Sequence, residues 1–219
     1  MFLKIKTIFG ITLILFIFNS ILISQEDGDG QLWNTNRIGI KLSTNWKIEL
    51  EEEFRFGSQA SDMYYHHTDG YLAYKLIEWF EVGASYRQIF ELKNENWQRE
   101  DRPHLNGTFK WNWLGVKFKD RSRFEYRIRA GKDSVWRYRN KFTVPFPISW
   151  TKFHISPFLC DEIFYEFNKT EITRNRLYSG VALSLSEKIN VKIFYLWQSS
   201  KKVDDWIDYN VFGLYLSFK

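Results

Sequence analysis

From Trp46 to Phe56 the sequence changes character at almost every residue: Trp46, Ile48, Leu50, Phe54 and Phe56 share one parity, and Lys47, Glu49, Glu51, Glu53 and Arg55 share the other. Successive side chains of a strand project to opposite faces, so this run is a ribbon with one apolar and one charged side. Glu52 is the one charge on its apolar side. No stretch beyond Gln25 sustains the 3.6-residue apolar period of a helix.

The period of two recurs over Tyr65 to Leu76, Phe80 to Glu91, Arg102 to Trp113, Val116 to Arg129, Val135 to Phe146, Lys152 to Phe167, Arg174 to Leu185, Ile189 to Ser199 and Ile207 to Phe218. A weaker run, Asn36 to Ser43, precedes them, with Ile38, Ile40 and Leu42 on its apolar side. Most of these reach the roughly 9 to 11 residues that a tilted strand needs to cross a bilayer, where globular strands average about five or six. Short connections around Ser43 to Asn45, Ile77 to Trp79, Leu114 to Gly115, Pro147 to Trp150 and Ser186 to Lys188 alternate with polar ones. The polar ones lie around Gly57 to Tyr64, Leu92 to Asp101, Ala130 to Ser134, Asn168 to Thr173 and Ser200 to Asp205. The pattern predicts an all-β fold: an antiparallel, up-and-down transmembrane β-barrel with short periplasmic turns and longer extracellular loops. Eleven runs can be traced, but such barrels normally have an even count, so about 10 to 12 strands are expected, with either the Asn36 run irregular or a short strand overlooked.

The 219-residue chain has no Pro-, Gly- or Ser-rich linker, which predicts one folded domain. Residues 1–24 have the parts of a secretory signal: Lys4 and Lys6, an apolar run from Ile8 to Phe18, and a small-residue exit at Ser24. Cleavage is expected before Gln25, leaving residues 25–219 as the barrel. The run to Ile23 is short beside the roughly 20 apolar residues of a spanning helix. Removing two lysines lowers the formal charge from +5 to about +3, too small an excess to argue for nucleic acid. The single cysteine, Cys160, excludes an internal disulfide and a Cys-x-x-Cys site.

Alternation alone does not say which side faces out, because a water-soluble barrel alternates with its apolar side inward. The aromatic residues favour lipid outside. Trp111 and Trp113 close one run, Trp136 and Tyr138 open another, and Phe124 and Tyr126 lie between, as the two membrane interfaces favour. Ten Trp and twelve Tyr would be a bulky filling for one small core. Gly213, Leu216 and Phe218 match the terminal assembly signal of outer-membrane barrels, although Lys219 follows. The expected partners are therefore outer-membrane lipid and, during biogenesis, the barrel assembly machinery, with a monomeric product.

Several segments in order resemble one family: Leu50-Glu51-Glu52-Glu53-Phe54-Arg55-Phe56, Tyr64-Tyr65-His66-His67-Thr68-Asp69, Ser122-Arg123-Phe124-Glu125-Tyr126-Arg127 and Val135-Trp136-Arg137-Tyr138-Arg139-Asn140-Lys141. With Asp161-Glu162-Ile163-Phe164-Tyr165, Arg174-Asn175-Arg176-Leu177-Tyr178, Tyr195-Leu196-Trp197-Gln198 and Asp208-Tyr209-Asn210, the resemblance to the DUF2490 family spans almost the whole chain beyond the signal. It implies a bacterial outer-membrane β-barrel, common in Bacteroidetes and proteobacteria, with no assigned activity and no catalytic residues to carry over.

On the charged side, His67, Asp69, Arg55, Arg127, Arg129, Arg137, Arg139, Glu162, Arg174, Arg176 and Tyr178 cluster at strand ends of the extracellular half. Glu49, Glu51 and Glu53 line an early strand, and Arg121, Arg123 and Glu125 line one further around the wall. One reading is an ion-pair network that fills a narrow lumen in a structural or binding role. A second is a small pore or pocket whose basic wall attracts anions. A third is a hydrolase in which Asp69, two residues from His67, orients it as a base, although no nucleophile is identifiable. His104 reads as a satisfied lumen histidine and His154 is isolated; no His-x-His or His-Glu-x-x-His spacing suggests a metal, and no cofactor motif is present.

Overall fold

The computed structural model describes residues 28–203 and 205–219, and the signal expected over residues 1–24 lies outside them. Among the described residues, eleven strands close into a barrel: β1 Asp29–Lys41, β2 Trp46–Gly57, β3 Asp62–Ile77, β4 Phe80–Lys93, β5 Asn96–Trp113, β6 Val116–Arg129, β7 Lys132–Pro145, β8 Ser156–Glu166, β9 Glu171–Ser186, β10 Ile189–Lys202 and β11 Asp205–Phe218. Each neighbouring pair from β1 to β11 is antiparallel. The closing pair, β1 with β11, is parallel, from Asp29 opposite Tyr209 to Ile38 opposite Phe218.

This corrects the even count expected from the sequence. The Asn36 run is neither irregular nor short. It is the second half of a 13-residue strand that begins at Asp29 and pairs with β2 from Leu32 opposite Phe56 to Lys41 opposite Lys47. The edge groups of β1 and β11, which would otherwise lie unpaired, meet in the same direction, so closure does not require an even number.

The expected contrast between short and long connections is also absent. The polar stretches that predict long loops continue the strands: β5 starts at Asn96 and β3 at Asp62, leaving only residues 94–95 and 58–61 as turns. Asn94 and Glu95 both have positive φ, as a two-residue hairpin turn of the twist-compatible type requires. Polarity signals the water beyond the apolar belt, while the backbone ladder runs on through it. The longest connection, residues 146–155, stands where a short turn was expected. It doubles back on itself through a Trp150–Ile155 bridge, so β8 begins at Ser156 rather than Lys152.

The wall has its apolar side outward. Nine of the ten Trp are exposed on the outside, with Ile38, Ile40, Leu50, Leu72, Leu105, Leu177 and Phe212 between them. Around the mouth where β1 ends, here the lower mouth, Trp46 packs on Tyr74, Trp79 on Phe109, and Trp111 on Phe118 and Phe142. Around the upper mouth, Trp136 packs on Tyr126, and His66 on Phe90 and Trp97. The polar side chains on this outer face satisfy one another. Asn140 donates to Asp120 at 2.6 Å, Asn175 to Asp161 at 2.8 Å and Thr68 to Glu52 at 2.6 Å.

The inner side divides by arc. Trp33, Phe158, Cys160, Tyr178, Leu196, Tyr209 and Val211, from β1 and β8 to β11, form an apolar cluster, whereas β5 to β7 turn bases inward. Gly213 matters locally, because the Phe194 ring lies across it so closely that a Cβ would fall 2.0 Å from ring carbon. The terminal motif residue thus seats an interior aromatic.

Candidate functional site

Cross-strand register brings the inward charges together. Glu51 on β2 lies opposite Asp69 on β3, and Asp69 lies opposite Arg87 on β4. Arg87 donates to Asp69 through Nε at 2.8 Å and Nη2 at 2.6 Å, and reaches Glu51 at 3.2 Å. Arg37 on β1 clasps Glu51 from the other side and lies 3.2 Å from Glu49. A second centre surrounds Glu125 on β6. Arg137 donates to it at 2.8 and 2.5 Å, Arg139 at 2.8 Å, and Arg123 stands 3.5 Å away. Arg139 continues to Glu162 on β8 at 2.7 Å, where the Tyr178 hydroxyl donates at 3.0 Å and Arg121 and Arg176 each stand 3.5 Å off. A third centre is Glu100, held by Arg102 and by a two-pronged contact from Arg127 at 2.8 and 2.9 Å. Arg127 also reaches Glu166 at 2.7 Å.

Aromatic rings complete the upper half. The Arg55 guanidinium, which donates to Glu53 at 2.7 Å, lies 3.7 Å from the Trp33 ring centroid and 4.1 Å from that of Tyr65. Arg176 covers Trp33 and Phe164, and Arg137, Arg139 and Arg174 gather around the same Phe164 ring. Guanidinium groups are planar and weakly hydrated, so they stack on rings while pairing with carboxylates at the edge, which suits a tight interior. Trp33, Tyr65, His67, Phe164, Arg176 and Glu162 are all buried here.

His67 and Asp69 share the inner face, but no hydrogen bond or ion pair joins them. His67 Nε2 lies 3.3 Å from Glu51 and Nδ1 3.1 Å from the Tyr65 hydroxyl. Asp69 is taken by Arg87 and by the Ser85 hydroxyl, which donates to it. Among the described residues the one hydroxyl on the His67 imidazole is the phenol of Tyr65, and no Ser or Thr hydroxyl or Cys thiol meets that ring as a nucleophile would. His104 Nε2 is 3.7 Å from Asp69. Among the described residues no group of three or more His, Cys, Asp or Glu could hold a metal.

The lower half differs. Lys47, Lys119, Thr143, Lys192, Tyr215 and Ser217 face the lumen but remain accessible to solvent. A cavity of about 210 Å³ lies between Lys119, Arg121, Lys141 and Lys192 and the rings of Phe158, Tyr178, Phe194 and Tyr215. A neighbouring one of about 80 Å³ lies among Glu49, Tyr71, Glu81, Asn106, Arg121 and Arg123. The lumen is thus locked above and hollow below. Sequence reasoning missed Trp33, Arg37, Arg87, Glu100, Arg102 and Lys192 as members of the interior. The alternation of its run points Arg87 inward, whereas Trp33 lies on the first half of β1, ahead of the Asn36 run that the sequence marks as strand.

Fold and interior together define a β-barrel with an apolar outer wall and an ion-paired lumen. The chain belongs to the DUF2490 family, a protein of unknown function, whose model matches residues 30–208. No curated protein matches the sequence.

Proposed function

We propose that this protein is an outer-membrane β-barrel, exported by the signal in residues 1–24 and working as a monomer in a structural or binding role. Its polar lock sits in the half toward the upper mouth. The observation that carries this reading is the inverted wall: nine exposed Trp outside and the Glu51, Glu125 and Glu162 ion-pair centres inside. In water such a wall would expose an apolar patch all around the barrel, far beyond the few hundred Å² usual on soluble monomers. Facing hydrocarbon it is stable, and the mutual pairing of outer polar groups fits a medium that supplies no hydrogen bonds.

All eleven strands, from the 11 residues of β8 to the 18 of β5, are long enough to span. The lower mouth, where β11 ends at Phe218, is assigned to the periplasm on the likeness of that ending to the assembly signal. The test is fractionation with gel migration before and after boiling. Outer-membrane recovery and heat-modifiable migration are expected; a soluble periplasmic protein would overturn the reading. A second reading, uptake of a small anion, is favoured by the hollow basic lower half.

A further inference from the structure

The larger cavity is lined, among the described residues, by ten basic and three acidic side chains. The acids, Glu51, Glu53 and Glu162, are engaged by Arg37, Arg55 and Arg139. Among the described residues the Lys119 ammonium has no hydrogen-bond or ion-pair partner, and Lys141 and Lys192 lie over rings, those of Tyr178 and of Phe158 and Tyr215, rather than beside carboxylates. An excess of fixed positive charge inside a narrow wall concentrates anions, because field lines cannot spread into the low-dielectric surroundings.

A second, independent observation points the same way. Among the described residues Arg123 Nη1, whose carboxylate neighbour Glu125 is 3.5 Å away, and Asn106 Nδ2, both on side chains about 95% buried, make no hydrogen bond, nor does Arg121 Nε. Arg121 and Arg123 line both cavities, and Asn106 the smaller. Unpartnered buried donors are costly, and an oxyanion is the acceptor that would satisfy several of them together. Opposite this basic arc stand Phe158, Phe194, Tyr178 and Tyr215, which present ring surface to the same cavity.

We propose that the lower vestibule binds a small amphiphilic oxyanion, with its carboxylate or phosphate group held by Lys119, Arg121 and Arg123 and its apolar body laid against Phe158 and Phe194. The proposal deepens the binding role proposed above and rests on that barrel being correctly folded. Full-length barrel in a non-ionic detergent is titrated calorimetrically with hexanoate, inorganic phosphate and 1-hexanol. Saturable hexanoate binding is expected, with phosphate competing more weakly and hexanol not competing.

Lys119→Gln with Arg121→Gln should weaken hexanoate by at least about tenfold, as loss of charge-assisted contacts implies. Phe194→Leu should weaken hexanoate but not phosphate. Absence of saturable binding by hexanoate, or equal binding by the doubly neutralised barrel or by hexanol, overturns the proposal. Heat-modifiable migration of each variant reports folding separately, so loss of the vestibule function and failure of the barrel reading are told apart.

Discussion

Arg137 meets Glu125 through two hydrogen bonds, of 2.8 and 2.5 Å, at a point where the carboxylate is wholly enclosed by the barrel wall. The two residues face each other across the β6–β7 ladder. Removing Arg137 takes two hydrogen bonds from Glu125 and leaves Arg139 at 2.8 Å and Arg123 at 3.5 Å beside it. Arg137→Ala is therefore expected to lower stability by about 1.5–3 kcal/mol, the range for hydrogen bonds lost from a charged group. Arg137→Met with Glu125→Leu should cost more than Arg137→Ala alone, because Arg139 and Arg123 then lose the same carboxylate. Urea unfolding of the detergent-solubilised barrel, followed by gel migration, measures both.

Leu105 is 64% exposed on the outer face, in the middle of β5. On a water-soluble barrel Leu105→Arg would change stability by less than about 0.5 kcal/mol. On a lipid-facing wall near the bilayer midplane it should cost about 2–4 kcal/mol. Folding into lipid vesicles distinguishes the two, and an unaffected variant would argue that this face meets water.

Trp33, Arg55 and Arg176 stack across the upper half of the lumen. The wild-type barrel should therefore give no single-channel steps in a planar bilayer. Trp33→Gly with Arg55→Ser removes the centre of the stack and should join the vestibule to the upper mouth, giving small steps selective for anions. A folded double variant that remains silent would place the closure elsewhere.

Gly213 lies beneath the Phe194 ring. Gly213→Ala should force that ring aside at a cost of about 1–3 kcal/mol, typical of overpacking. Phe194→Leu in the same chain should restore part of it. Equal stability of Gly213→Ala and wild type would show that the ring moves freely.

The strand positions were legible because polarity alternates with the pleat, and the outward Trp followed from the same rule. The start of β1 was not: Asn34 and Asn36 lie on its outer face where apolar residues mark the other strands, with Asn36 donating to Asn34 at 2.7 Å. Strand extents past the apolar belt were hidden for a similar reason, as in Asn96 to Asp101. The charged face was legible as a set, but its pairing was not. Arg87 on β4 finds Glu51 on β2, and Arg127 on β6 finds Glu166 on β8, each reaching across the strand between. His67 and Asp69 share the inner face, yet their partners come from β2, β3 and β4 rather than from each other.

The parallel seam between β1 and β11 gives the molecule two addresses. The ten strands from β2 to β11 already make five complete hairpins, whose outer members run in opposite directions; β1 is a single added stave set between them. Because a lone stave crosses once, Asp29 and Phe218 stand at opposite mouths. In the proposed orientation an epitope inserted ahead of Gly28 should be read by antibody on intact cells, while one following Lys219 should be read only after the outer membrane is breached. An even barrel would return both to one compartment; in the proposed setting the Asp29 end of β1 has to cross the membrane before the wall can close.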